Sequence, residues 1–174
     1  MRLFHVSEEP NIDIFEPREP TRDDLDKSVK LVWALNERCL PNYLTPRDCP
    51  RVTYHVAKNS SQEDIDKFFS SKLRHLVAIE KTWYEAIAKM TLYIYEFDPT
   101  NFYLQDEQAG YYVSKKSEKP ISVIEINDLF GALFERGVEV RILDNLWDLG
   151  DAVQRSSLYW SLCRMGNAKA RGIS

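Results

Sequence analysis

The chain is predicted to be an α+β protein of short, mostly antiparallel strands with helices inserted between them. Apolar and aromatic runs of four to seven residues alternate with Pro- and Asp-rich breaks. The helical periods are few and lack the regular strand–helix alternation of a doubly wound sheet. Neither a GxGxxG turn nor a P-loop occurs, so neither of those nucleotide sites is supported.

The elements follow in order. Leu3-Phe-His-Val-Ser7 reads as a strand with Leu3 and His5 on one face and Phe4 and Val6 on the other. Ile12–Phe15 is a second short extended piece, and residues 16–27, rich in Pro and charge, form a surface loop. Val29–Leu35 is mostly apolar and reads as a strand buried on both faces. Asn36 can cap a short helix toward Leu44, limited by Pro41. Arg51–Ala57 alternates as a strand, and Ser60 or Ser61 caps a helix with Ile65, Phe68 and Phe69 inward.

His75–Ile79 is a strand, and Lys81–Met90 a helix with Trp83, Ile87 and Met90 on one stripe. Strands are expected at Thr91–Phe97, Phe102–Leu104, Gly110–Ser114 and Pro120–Ile126. Asn127 is the expected cap of a helix carrying Leu129, Phe130, Leu133 and Phe134, which Gly137 closes. Val138–Ile142 is a last strand, and residues 146–165 read as helix with Trp147, Tyr159 and Trp160 in its core.

With 174 residues the chain is long enough for a single domain with a sizeable core. Its net charge of −4 argues against a general nucleic-acid binder. Charge is uneven: residues 1–27 hold eight acids and four bases, and residues 155–174 four bases and no acid. No stretch reaches the length of a membrane span or a signal peptide, which leaves the cytoplasm as the expected compartment. Cys39, Cys49 and Cys163 have neither CxxC spacing nor an even count, so neither a disulfide framework nor a zinc site is indicated. His5, His55 and His75 lie far apart on separate strands, and no metal site is expected. A nucleophilic Cys39 or Cys49 would need a histidine and an electropositive setting nearby.

Tyr95-Glu-Phe-Asp-Pro-Thr100 followed by Asp106 resembles a central motif of the rifampin ADP-ribosyltransferases. Leu3-Phe-His5-Val-Ser7 is similar to that family's N-terminal His-Gly-Thr/Ser strand. Val32-Trp-Ala34 stands where its aromatic-bearing second strand is expected, and Tyr112-Val-Ser114 with Pro120–Ile124 resembles its later strand pair. The likeness covers roughly residues 3–126. It implies an ADP-ribosyltransferase-like core over 1–126, two small sheets gripping NAD, and a C-terminal extension over 127–174. The whole chain also resembles an uncharacterised bacterial family.

The resemblance implies roles. His5 would hydrogen-bond a ribose hydroxyl, and Val6 would hold the nicotinamide amide through its backbone. Trp33, or alternatively Tyr43, would stack on the nicotinamide ring. Asp106 would stabilise the oxocarbenium-like transition state, with Ser7 and Ser114 as polar contacts. Asp98 and Glu107 are the alternative acids. The expected partners are a small-molecule nucleotide and an acceptor of unknown kind. Two further readings stand beside this one: a non-catalytic binding module on the same fold, and an RNA 2′-phosphotransferase-like activity drawing on Arg2, Arg18, Arg47 and Arg51.

Overall fold

The computed structural model describes residues 1–20 and 26–172. Along the chain run β1 (Leu3–Ser7), β2 (Val32–Asn36), β3 (Arg51–His55), α1 (Gln62–Phe68), β4 (His75–Glu80), α2 (Tyr84–Lys89) and β5 (Leu92–Phe97). They are followed by β6 (Tyr103–Asp106), β7 (Tyr111–Ser114), β8 (Pro120–Ile126), α3 (Leu129–Glu135), β9 (Val138–Leu143), α4 (Trp147–Val153) and β10 (Tyr159–Cys163). The architecture is mixed α+β, with two mostly antiparallel sheets and several short helices.

The chain divides into two compact units, Met1–Leu40 with Leu92–Ile126, and Pro41–Thr91 with Asn127–Ser174. Residues 127–174, expected as an extension, therefore cluster with 41–91.

The first unit is a six-stranded sheet in the order β6-β7-β2-β1-β5-β8. Its strands form where the β-branched and aromatic residues concentrate, and the Asp98-Pro99 break ends β5. There Asp98 accepts from the Thr100 amide at 2.8 Å and opens a single 3-10 turn, the turn-initiating role of an Asp before Pro. Directly opposed residues of a sheet share a face. The β1–β5 register sets Leu3, His5 and Ser7 against Phe97, Tyr95 and Tyr93. That face builds a core of Leu3, Phe15, Val32, Ala34, Tyr95, Phe97 and Phe102.

Residues 9–15 return across this face. The Tyr95 hydroxyl donates to the Glu9 carbonyl at 2.8 Å and accepts from the Ile12 amide at 3.1 Å, while Phe15 pairs with Glu118. A Tyr95→Phe variant deletes both bonds and leaves the Glu9 carbonyl and the Ile12 amide without this partner. It should cost about 1–3 kcal/mol and open the 9–15 segment to hydrogen exchange, read by urea unfolding and amide exchange.

The second unit holds the four-stranded sheet β10-β3-β4-β9, in which β4 and β9 run parallel. Both faces of β3 are buried. On one face Val52 and Tyr54 join Phe68, Phe69, Leu76, Ala78, Leu146, Val153 and Leu158 in the core. The other face carries Arg51, Thr53 and His55, set against Ile79, Val77 and His75 on β4 and against Cys163, Ser161 and Tyr159 on β10.

Helix ends follow local chemistry. Ser61 accepts from the Asp64 amide and starts α1. The cap of α3 is Asp128, whose carboxylate accepts from the Gly131 amide at 2.8 Å, one residue after the expected Asn127. Leu129, Ala132 and Leu133 face inward at i, i+3 and i+4, while Phe134 falls outside that stripe and is 61% exposed. Gly137 closes the helix at φ +67°.

Two expectations need correction. Residues 146–165 are not one helix: α4 stops at Val153, and 159–163 pair antiparallel with β3. Ser156 and Ser157 cause the break, the first returning its hydroxyl to the Val153 carbonyl and the second bonding Asp64. Tyr159 and Trp160 are accordingly half-buried strand residues, and Trp147 lies under the Arg171 guanidinium at 4.3 Å. The helix expected after Asn36 shrinks to a 3-10 turn at Leu40–Tyr43, because the Asn36 side chain accepts from the Cys39 amide and closes a turn first. Of the expected loop 16–27, residues 21–25 lie outside the described residues; Arg18 bridges to Leu31.

Candidate functional site

The most distinctive local geometry in the first unit lies between β1 and β2. Their register is two pairs long, Leu3↔Asn36 and Phe4↔Leu35, whereas β1 follows β5 for all five residues. Beyond Phe4 the two strands part, and the His5 imidazole reaches across: its Nδ1 lies 3.0 Å from the Trp33 carbonyl oxygen. Phe15 covers the imidazole with ring centroids 4.9 Å apart. Four expected site residues, His5, Val6, Ser7 and Trp33, therefore belong to the two strands that flank this parting.

The sheet divides the candidates by face. His5 and Ser7 lie on the Tyr95 side, and Ser114, opposite Val32, shares it. Ser7 accepts from the Glu9 amide, and the buried Ser114 hydroxyl donates to Glu118 at 2.5 Å. Val6 and Trp33 alternate to the other side, where Trp33 meets Tyr111 edge-on at 5.3 Å. A bulge between Leu104 and Asp106 sets Asp106 opposite Tyr111, on the Trp33 side. There its carboxylate accepts from the Ala109 amide at 3.0 Å.

His5 and Asp106 are thus on opposite faces and three strands apart, about 14 Å along the sheet at 4.8 Å per strand. The structure groups Asp106 with Trp33 and Tyr111, and separates it from His5. Tyr43, the alternative to Trp33, belongs to the second unit, where the Arg51 guanidinium stands over its ring at 5.1 Å.

Arg2 forks onto Glu96 at 2.8 and 2.9 Å and also reaches Glu37. Arg51 is buried against carbonyl oxygens. Burial pushes the Cys49 thiol up to about 12 despite the neighbouring Arg51, and it raises Cys39 as well. Neither thiol is poised to ionise as a nucleophile.

Sequence reasoning missed a polar cluster in the second unit. His55 and His75, treated as unrelated, are cross-strand partners with ring centroids 5.1 Å apart, and Tyr159 stands edge-on to His55 at 5.7 Å. The Asn42 side-chain oxygen lies 2.7 Å from His75 Nε2. The available signal was the alternation Arg51-x-Thr53-x-His55, a polar face on a strand whose other positions are Val52, Tyr54 and Val56. Among the described residues, no group of three or more His, Cys, Asp or Glu could hold a metal ion. No described helix is long and apolar enough to cross a membrane.

No curated protein and no solved structure matches the chain. A family model described as "Family of unknown function (DUF6886)" matches residues 4–168, nearly the whole chain, and the protein belongs to that family.

Proposed function

We propose that the first unit is a nucleotide-binding domain of the ADP-ribosyltransferase-like kind, taking NAD or a related nucleotide where β1 and β2 part. The observation that carries this reading is the two-pair β1–β2 register beside a five-pair β1–β5 register, with His5 bonded across the parting to the Trp33 carbonyl. Parted strands leave backbone donors and acceptors that an amide or a ribose hydroxyl can meet. The half-buried Trp33 indole offers a stacking surface. The motif resemblance points the same way.

Between binding with transfer and binding alone, the separation of His5 from Asp106 favours binding alone. Transfer requires the group that orients the ribose and the group that stabilises its developing charge to act on one sugar. Here they stand on opposite faces.

The test combines thermal shift with NAD and ADP-ribose and an assay for nicotinamide release. At 100-fold saturation a ligand should add about 2.7 kcal/mol of stability. Trp33→Ala should remove most of that gain, and nicotinamide release should stay at the solvent rate. A wild-type protein that neither ligand stabilises would remove the nucleotide reading. Release that Asp106→Ala abolishes would instead restore an ADP-ribosyltransferase, with an acceptor still to be found.

A further inference from the structure

The second unit contains a buried cation without a counter-ion. Arg51 is 4% exposed. Its Nε donates to the Asn42 carbonyl at 2.6 Å and its Nη1 to the Cys49 carbonyl at 2.9 Å. Its guanidinium stands over the Tyr43 ring. Among the described residues no carboxylate pairs with it, and its hydrogen bonds leave from Nε and Nη1. Glu80, whose field reaches Cys49, gives both carboxylate oxygens to the Lys169 amide at 3.0 and 3.1 Å. Two carbonyl dipoles and a ring face position a guanidinium but do not neutralise it. A buried, unpaired charge costs several kcal/mol, so such a group marks a place where an anion belongs.

The surroundings are equipped for one. Asn42 ties the guanidinium to the imidazole pair, because its backbone oxygen takes Arg51 and its side-chain oxygen meets His75. Thr45, three residues further along the same segment, has a buried hydroxyl with no hydrogen-bond partner among the described residues. One segment and two strands thus bring together a fork-shaped cation and two imidazoles, with the Thr45 hydroxyl on the same segment.

We propose that this face of the four-stranded sheet, centred on Arg51 and Asn42, is an oxyanion site for inorganic phosphate or a phosphomonoester. The guanidinium edge that carries Nη2 suits the paired oxygens of a phosphate. The site lies wholly in the second unit and does not rest on the nucleotide reading of β1 and β2.

The experiment titrates the full-length protein with inorganic phosphate against sodium chloride at matched ionic strength, so that general screening cancels. Melting temperature and the NMR signals of Arg51 Nε–H and of the His55 and His75 rings are followed, and phenyl phosphate in a second arm separates a phosphomonoester from the free ion. Phosphate should raise the melting temperature and move all three sets of signals. Asn42→Asp places a carboxylate of the same size against His75 in the same cluster, and its negative charge should weaken phosphate binding about tenfold or more. Arg51→Gln should abolish the response. Equal melting in phosphate and chloride, signals that stay in place, or an Asn42→Asp protein that binds phosphate like the wild type would each overturn the site. Should Arg51→Gln fail to fold, the wild-type signals and Asn42→Asp still decide.

Discussion

Replacement of Tyr54 by alanine should cost about 4–5 kcal/mol and move the urea midpoint of the second unit accordingly. Tyr54 is fully buried in the middle of β3, with Phe68 and Phe69 edge-on to its ring at 5.6 and 5.3 Å. Truncating such an aromatic removes its transfer free energy and leaves a cavity that close-packed neighbours fill only in part. The hydroxyl matters as well: it donates to the Phe68 carbonyl at 2.9 Å and accepts from Arg141 at 3.3 Å. Burial lifts its pKa to about 12, so it remains a neutral donor throughout the working range. Tyr54→Phe keeps the ring and loses only these bonds, at about 1–2 kcal/mol. Far-UV circular dichroism through a urea titration measures both, and a loss below 2 kcal/mol for Tyr54→Ala would show that this core repacks freely.

Gly110→Ala should destabilise the first unit by about 2–4 kcal/mol, from two independent causes. Gly110 turns the chain into β7 at φ +67°, a conformation that costs an L-residue about 1–2 kcal/mol. An added Cβ would also meet Asn36 Oδ1 and Cys39 Sγ, each at 2.6 Å. Neither neighbour yields cheaply, because Asn36 Oδ1 holds the Cys39 amide and the Asn36 backbone amide donates to the Gly110 carbonyl. Overpacking of this kind adds about 1–3 kcal/mol. Gly110→Asn, a residue that tolerates positive φ, isolates the steric part: it should be destabilised nearly as much as the alanine variant. Equal melting temperatures for wild type and Gly110→Ala would show that the turn relaxes.

Much of the fold was legible because local patterns and global roles agree. The run Leu92–Phe97 and the alternation in Arg51–His55 read as strands and are strands. The Ser61 cap and the Gly137 stop follow from side-chain and backbone chemistry within a few residues. The misreadings share a cause. Tyr159–Cys163 has spacing compatible with a helix, and only pairing with β3 makes it a strand, a long-range contact with no local signature.

The site was less legible still. His5, Val6, Ser7 and Trp33 could be placed together from adjacent strands, but which face Asp106 occupies depends on a single bulge. No periodicity reveals a bulge beforehand. The His55–His75 contact likewise depends on the β3–β4 register, which forms across a connection that contains α1. Separation along the chain therefore says little about separation in space.

The strand pairing also constrains the order in which the chain can be completed during synthesis. Each unit is assembled from two stretches, and the first is finished by Ile126, when β8 has joined β5. The second cannot be: both flanks of the β3–β4 pair, β9 on one side and β10 on the other, come from beyond residue 137. Until those residues leave the ribosome, β3 and β4 pair only with each other, with α1 between them in the chain, and a two-stranded sheet is at best marginally stable in water. A nascent chain thus carries one finished unit and one open strand pair, with the apolar face of Val52 and Tyr54, which packs against Leu146, Val153 and Leu158, the last to be enclosed.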